Sequence, residues 1–334
     1  MTIKRKENIM RKNNAKVLLV CLTAVLFICW MGPSSAFGWE PSKPVEIVSH
    51  SSAGTGGDIF IRTLSDIWAK NKFIPVRTSV QNITGARGDK ARRYIAVKNK
   101  GNPHYLFSYV PSQLNTPILD KSDISHRSFV PLSLMAVQTP ILVVHNESPY
   151  KSLSDLIEAA RKKPKQITQG GGSYGNIASL VGKMLMDHAG VTISYVPYKG
   201  GGEATVALLG KHIDFIIENV QEVREHVKAG NFRIIAATDK LQSFPAVRTF
   251  KEQGYDFKTI TQFLGLVAPQ GIPAEAAAYY IKLLERTRGT TEWKSYLERN
   301  DLAEFSVAGD AMAKFLDDEE LFYLRLNKEI GLLK

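Results

Sequence analysis

The sequence predicts an α/β protein of two lobes. Short β-branched and aromatic runs alternate with stretches whose apolar residues recur at spacings of three and four. Glycine-rich loops join several of these runs to the stretches that follow. No Pro/Ser/Gly-rich linker divides the chain, so two crossings, near Thr139–Ile141 and near Ile260–Leu264, are the economical way to pass between lobes. The first lobe then comprises residues 44–140 and 264–334, and the second residues 141–263. Each lobe is expected to be a mixed sheet flanked by helices, with a cleft between them that can close by hinge rotation.

In chain order, strands are expected at Val45–Ser49, Val76–Val80, Tyr105–Tyr109, Ile141–His145, Ile193–Tyr195, Ile213–Ile217, Ile234–Ala237 and Leu264–Ala268, with a weak one at Gln166–Gln169. Helices are expected at Asp58–Ala69, Leu153–Arg161, Ile177–His188, Ala204–Leu209, Val220–Lys228, Ala274–Arg286, Glu292–Glu298 and Asp310–Asn327. Ser154 can cap the helix that starts near Asp155, and Pro273 fits a first helical turn, where a missing amide hydrogen is harmless. Gly190 and Gly230 follow helical patterns and fit left-handed stop positions.

Of the 334 residues 44% are apolar, too long a chain for one small module and too apolar for disorder. Lys4, Arg5, Lys6, Arg11, Lys12 and Lys16 precede an apolar run, Val17–Met31, that is shorter than the roughly 20 residues a membrane-spanning helix needs. A small-residue exit at Gly32–Gly38 completes the form of a secretory signal peptide spanning residues 1–36, with cleavage after Ala36. A retained anchor is the alternative, but no stop-transfer charge cluster follows Met31. Without residues 1–36 the chain keeps 37 basic and 31 acidic residues, interspersed rather than gathered into the basic face that nucleic acid requires. Cys21 and Cys29 both lie in the apolar run, so the exported product has no disulfide, thiol nucleophile or cysteine metal site.

The densest local signal is Ser49–Asp58, read as SHSSAGTGGD, between a strand and an amphipathic helix. Gly54, Gly56 and Gly57 let successive amides point inward at a helix start, a cradle for a carboxylate or phosphate that the hydroxyls of Ser52 and Thr55 can supplement. A tight strand-to-helix turn is the bland alternative. Asp58 either complements the helix dipole or receives a ligand ammonium, and Arg62 either neutralises it or reaches a carboxylate.

A second loop, Gly170–Asn176, has the glycine spacing of a dinucleotide turn, yet the next strand ends without the acidic residue that would hold a ribose. A small-anion or polar-ligand loop built on Gly172, Ser173 and Tyr174 therefore competes with a tight helix entry. A third, Val196–Glu203, offers Tyr198 as an apolar wall with a hydroxyl and Lys199 as a countercharge to an acidic ligand or a solvated side chain.

The seven histidines form no metal-ligand spacing, and no HExxH, Gly-x-Ser-x-Gly or paired-carboxylate motif occurs. No catalytic residue, metal or cofactor is expected. His50 and His145 read as packed or edge residues rather than bases. The acidic run Asp317–Glu320 reads as a solvated helical face, and Phe315, Phe322 and Tyr323 as core.

The ordered motifs SSAGTGGD at Ser51–Asp58, QNITGARGD at Gln81–Asp89, GGGSYGNIA at Gly170–Ala178, VPYKGGGEA at Val196–Ala204 and FLGLVAPQGIPAE at Phe263–Glu275 resemble the solute receptors of tripartite tricarboxylate transport, the TctC or Bug family. The resemblance covers roughly Pro44 to Leu333. It implies a type II-like periplasmic binding protein fold with a small carboxylate between the lobes, held by the turn matching Ala53–Asp58 and by the loop matching Gly172, Ser173 and Tyr174, with Tyr198 and Lys199 nearby. Departures are Ala53 for a common proline, Thr55 for a glycine, Asn176 for a frequent histidine, and Arg87 within a Gly-Ala-Gly-Gly pattern.

The expectation is therefore capture without chemistry: a monomeric periplasmic receptor binds a small carboxylate and presents it to a tripartite-type membrane permease. The competing expectations are a periplasmic enzyme acting on an acidic metabolite and a ligand-binding signalling receptor.

Overall fold

The computed structural model describes residues 38–333. The signal peptide and its cleavage near Ala36 lie outside the described residues. Two sheets organise the chain. The first has strand order β11-β4-β10-β3-β1-β2, formed by β1 (Val45–Ser49), β2 (Thr78–Asn82), β3 (Tyr105–Tyr109), β4 (Phe129–Gln138), β10 (Gln262–Pro269) and β11 (Leu302–Ala308). The second has order β7-β6-β8-β5-β9, formed by β5 (Pro140–His145), β6 (Thr168–Gly171), β7 (Ser194–Pro197), β8 (Phe215–Asn219) and β9 (Phe232–Ala237). Both are mixed: β1 runs parallel to β2 and β3 while β10 is antiparallel to β3 and β4, and β6 runs parallel to β7 and β8 while β5 is antiparallel to β8 and β9.

The chain leaves the first sheet after Gln138, enters the second at Pro140, and returns between Ala237 and Gln262. The central strands are apolar because they are covered on both faces: Ile141, Leu142, Val143 and Val144 of β5 are all fully buried. Helices fill the connections. They are α1 (Gly56–Lys70), α2 (Asp89–Arg93), α3 (Pro111–Asp120), α4 (Leu153–Lys162), α5 (Ile177–Ala189), α6 (Gly201–Leu209), α7 (Val220–Lys228), α8 (Ala274–Arg288), α9 (Thr291–Arg299) and α10 (Gly309–Glu329). No helix among the described residues is long and apolar enough to cross a membrane.

Several sequence expectations are corrected. The strands β4 and β11 and the helices α2 and α3 were not anticipated. Pro131 masks β4, but it sits opposite Val267 at a register shift, where an irregular ladder tolerates the lost donor. Pro117 likewise masks α3. It cannot donate to the carbonyl of Gln113, and the Tyr109 hydroxyl donates to that carbonyl instead, at 3.3 Å. The cap of α4 is Ser152 rather than Ser154: its hydroxyl accepts from the Asp155 amide, and the Asp155 carboxylate accepts from the Ser152 amide. Pro273 occupies the cap position of α8, one residue before the helix. Gly190 and Gly230 do adopt positive φ, +64° and +73°.

The acidic run on α10 is not a free face. Asp317 accepts from His126 Nε2 at 2.8 Å and from Arg127, which also binds Glu320. Tyr323 is fully buried and Phe315 and Phe322 pack against the same core, as a helix lying on a sheet requires.

Candidate functional site

The loop after β1 folds upon its own hydroxyls. Ser51 Oγ and Thr55 Oγ1 lie 2.8 Å apart, and Thr55 Oγ1 donates to the Ser52 carbonyl at 2.9 Å. Thr55 is the residue preceding α1, but with its hydroxyl turned back no side chain of its own caps the first helical turn. The amides there need an outside acceptor. Gly56 finds one across the cleft: its N–H donates to Glu222 Oε1 at 3.1 Å. A carboxylate at a helix N-terminus is what the exposed amides and the dipole favour, and here the chain supplies it.

Asp58 has a different task. It is buried and accepts from the Gly54 amide at 2.9 Å, Arg62 Nε at 3.0 Å and Asn82 Nδ2 at 2.9 Å. Burial raises its pKa, but the hydrogen bonds from Arg62, Gly54 and Asn82 outweigh that effect and hold it below the ordinary value. Asp58 and Arg62 therefore brace the loop, and no ammonium of a ligand is needed to satisfy this carboxylate.

Between the lobes lies a cavity of about 460 Å³. The first lobe lines it with Ser52, Thr55, Gly56 and Gly57, joined by His50 and Ser112. The second lobe contributes Gly172, Ser173, Tyr198 and Lys199. Gly54 faces a separate cavity of about 280 Å³, and neither Asp58 nor Tyr174 lines the main one. The Tyr174 ring is about half exposed with its hydroxyl on the Tyr195 carbonyl, so Tyr174 takes part through its backbone instead: its carbonyl accepts from Arg87 of the first lobe at 2.9 Å. Lys199 is exposed, and its amide donates to Glu203 at 3.1 Å.

The second loop owes its glycines to packing. A Cβ on Gly170 would lie 2.2 Å from Ile213, one on Gly171 2.4 Å from the Tyr195 hydroxyl, and one on Gly172 2.5 Å from Asn176. The start of α5 is closed by its own side chains, since Asn176 Oδ1 accepts from the Ser179 amide and Ser179 Oγ from the Gly175 amide. This accounts for the glycine spacing without a nucleotide.

Arg87 stands in a run of positive φ from Gly85 to Gly88, with Ala86 at +47° and Arg87 at +51°. Such a conformation costs a side-chain-bearing residue of order 1 kcal/mol or more. Contacts to Asp120 at 3.1 Å and to the Tyr174 carbonyl hold it there, making the loop one of the bridges between lobes. Asn115 provides another, donating to the Gly175 carbonyl at 2.7 Å.

Glu218 and Glu222 are the residues that sequence reasoning missed. Glu218 is the penultimate residue of β8 and lines the cavity, and Glu222 sits in the first turn of α7 and lines it too. A charged residue ending the apolar run Phe215–Ile217, followed by a second acid four residues on, was the available signal. Burial, then the charge of Glu222 and a hydrogen bond to it, push the Glu218 carboxyl well up. Burial also raises Glu222, opposed by donation from Asn219 and Gly56. Both carboxyls are raised and hydrogen-bonded to each other, so the pair shares a proton. His50 is held neutral: burial, reinforced by the charge of Arg92, lowers it to about 4, and its Nε2 lies 3.1 Å from Ser112 Oγ.

These shifts give opposite pH trends. As pH rises above the ordinary carboxyl value of 4.5, the unfolded chain loses protons that the folded pair still holds, so the pair's contribution to stability falls. His50, depressed from 6.5 to about 4, instead costs stability as pH falls through that window, because the unfolded imidazole protonates first. His50 cancels when wild type is compared with a Glu218→Gln/Glu222→Gln variant. The wild type should gain in melting temperature relative to that variant as pH drops from about 8 to about 5. A difference independent of pH would contradict the shared proton.

Two mixed sheets flanked by helices, with a cavity between them, have the fold of the type II periplasmic binding proteins. Residues 112–332 match the model of the tripartite tricarboxylate transporter family receptor, and the chain belongs to that family. Membership makes it a receptor rather than an enzyme and places it in the periplasm. It is 28% identical over 236 residues to BugT of Bordetella pertussis, covering 69% of this chain and 72% of that protein. MatC of Rhodopseudomonas palustris with bound malate superposes with a TM-score of 0.77 at 18% identity, over 86% of this chain and 99% of that one. Rpa4515 of R. palustris with adipate gives 0.78 at 20% identity, over 87% and 98%.

Proposed function

We propose that the chain captures a small carboxylated organic solute in the interlobe cleft, closes on it, and delivers it to a membrane permease. The mature receptor, freed by cleavage near Ala36, acts as a monomer. Residues 44–140 with 264–334 form one moving body and residues 141–263 the other. Gly56 and Gly57 receive one carboxylate, with Ser52 and Thr55 at the rim, while Gly172, Ser173, Tyr198 and Lys199 select the rest of the solute.

The observation that carries this reading is the Gly56 amide, which points into the cleft and already holds a carboxylate oxygen, that of Glu222. A carboxylate leaves water without large cost only where directed donors replace its hydration. Malate in MatC and adipate in Rpa4515 belong to the chemical class that such donors suit.

Small-angle scattering with a panel of dicarboxylates, tricarboxylates and acidic amino acids tests the reading. At least one of them should lower the radius of gyration and raise the melting temperature by mass action. A panel that neither binds nor changes the scattering curve would count against carboxylate capture.

A further inference from the structure

Beside the amides of α1, the cavity carries an excess of acceptors that carboxylate capture leaves unexplained. Glu218 is 9% exposed, and among the described residues neither it nor Glu222 forms an ion pair. Of the cations lining the same cavity, Arg87 pairs with Asp120 at 3.1 Å, and Lys199, its side chain exposed, lies 4.0 Å from Glu203 and pairs with neither Glu218 nor Glu222. Asn219, 6% exposed, donates through Nδ2 to Glu222 at 2.9 Å and leaves its Oδ1 without a partner. Two carboxylates and a residue with an unpartnered amide oxygen thus line one stretch of the cavity, and among the described residues no cation pairs with either carboxylate. Buried acceptors of this kind call for a donor that brings its own charge.

A donor for an anion lies alongside. Gln138, 7% exposed, has an unpartnered Nε2 that would be 2.6 Å from a Cβ on Gly56. Acceptors and donors therefore meet around one glycine. A second carboxylate entering this corner would face like charges. A quaternary ammonium would call for an aromatic cage, and among the described residues Tyr198 is the one phenol lining the cavity.

We infer that the solute carries a protonated ammonium beside its carboxylate, received by Glu218, Glu222 and Asn219 Oδ1, so that the substrate class is an amino carboxylate. The inference rests on carboxylate capture at Gly56 and narrows it. The carboxylate of such a zwitterion takes Gln138 and the first turn of α1, and its ammonium replaces the proton that the two glutamates share.

Isothermal titration calorimetry on the purified chain tests this with acids paired by carbon skeleton and differing only in the 2-ammonium: aspartate with succinate, glutamate with glutarate, leucine with 4-methylvalerate. At least one amino acid should bind roughly tenfold or more tightly than its partner. That gap should close in Glu218→Gln and in Glu222→Gln, each checked for folding by circular dichroism. Equal or tighter binding of the ammonium-free acids overturns the inference while leaving carboxylate capture standing, and so does a gap that survives both substitutions. Binding by no member of the panel removes both.

Discussion

Replacing Gly56 by valine should weaken solute binding by roughly 10- to 150-fold, the loss of one or two hydrogen bonds to a charged group at about 1.5–3 kcal/mol. The cause is local. Gly56 has an ordinary backbone conformation, so valine introduces no left-handed strain there. Its Cβ, however, would lie 2.4 Å from Gln221 Nε2, 2.6 Å from Gln138 Nε2 and 3.3 Å from Glu222 Oε1. The two amides are ends of flexible side chains and can move aside for a methyl, so Gly56→Ala should cost less. The branched valine fills the place where amide, carboxylate and solute meet. Lys211→Ala is the control, because Lys211 pairs with exposed Glu147 and does not line the cavity. Equal affinities in Gly56→Val and Lys211→Ala would argue against the cradle.

Trp293→Ala should lower stability by about 3–5 kcal/mol. Trp293 is fully buried, its ring edge-on to Phe60 of α1 with centroids 6.2 Å apart and 5.3 Å from that of Tyr296. These contacts pack α9 against the back of the helix whose N-terminus faces the solute. The melting temperature should drop on the order of 10 °C. Exposed Lys294→Ala, one residue away, should stay within about 0.5 kcal/mol. A melting temperature unchanged in Trp293→Ala would mean that the ring is not part of the support beneath α1.

Much of this arrangement was legible from local chemistry. The first loop stood out because a strand, three glycines and a helix start occur within ten residues, and the strand and the helix start are where they were expected. The second loop's alternative of a tight helix entry was also readable, and the crowding around Gly170, Gly171 and Gly172 gives those glycines a packing reason. Asp58 remained ambiguous because capping and ammonium binding both call for an aspartate there. Its carboxylate accepts from Gly54, from Arg62 and from Asn82, and the last, 24 residues away, has no local signature.

What stayed hidden depends on distant partners. Pro131 and Pro117 disguised a strand and a helix, since a register shift opposite Val267 and the hydroxyl of Tyr109 compensate for the missing donors. Glu222 approaches Gly56 across 166 residues of sequence, and no periodicity or spacing encodes that meeting. Tyr174 was expected as part of a ligand loop, whereas its carbonyl accepts from Arg87, 87 residues away, a contact that any residue type could offer.

The most direct measurement is a crystal structure of the receptor with its solute bound. A carboxylate oxygen of the solute should lie within about 3.2 Å of an amide nitrogen in the first turn of α1, at Gly56 or Gly57. Residues from both lobes should enclose the rest of the molecule. A turn facing bulk water, with the solute seated away from Gly56 and Gly57, would contradict the assignment of this loop as the carboxylate site.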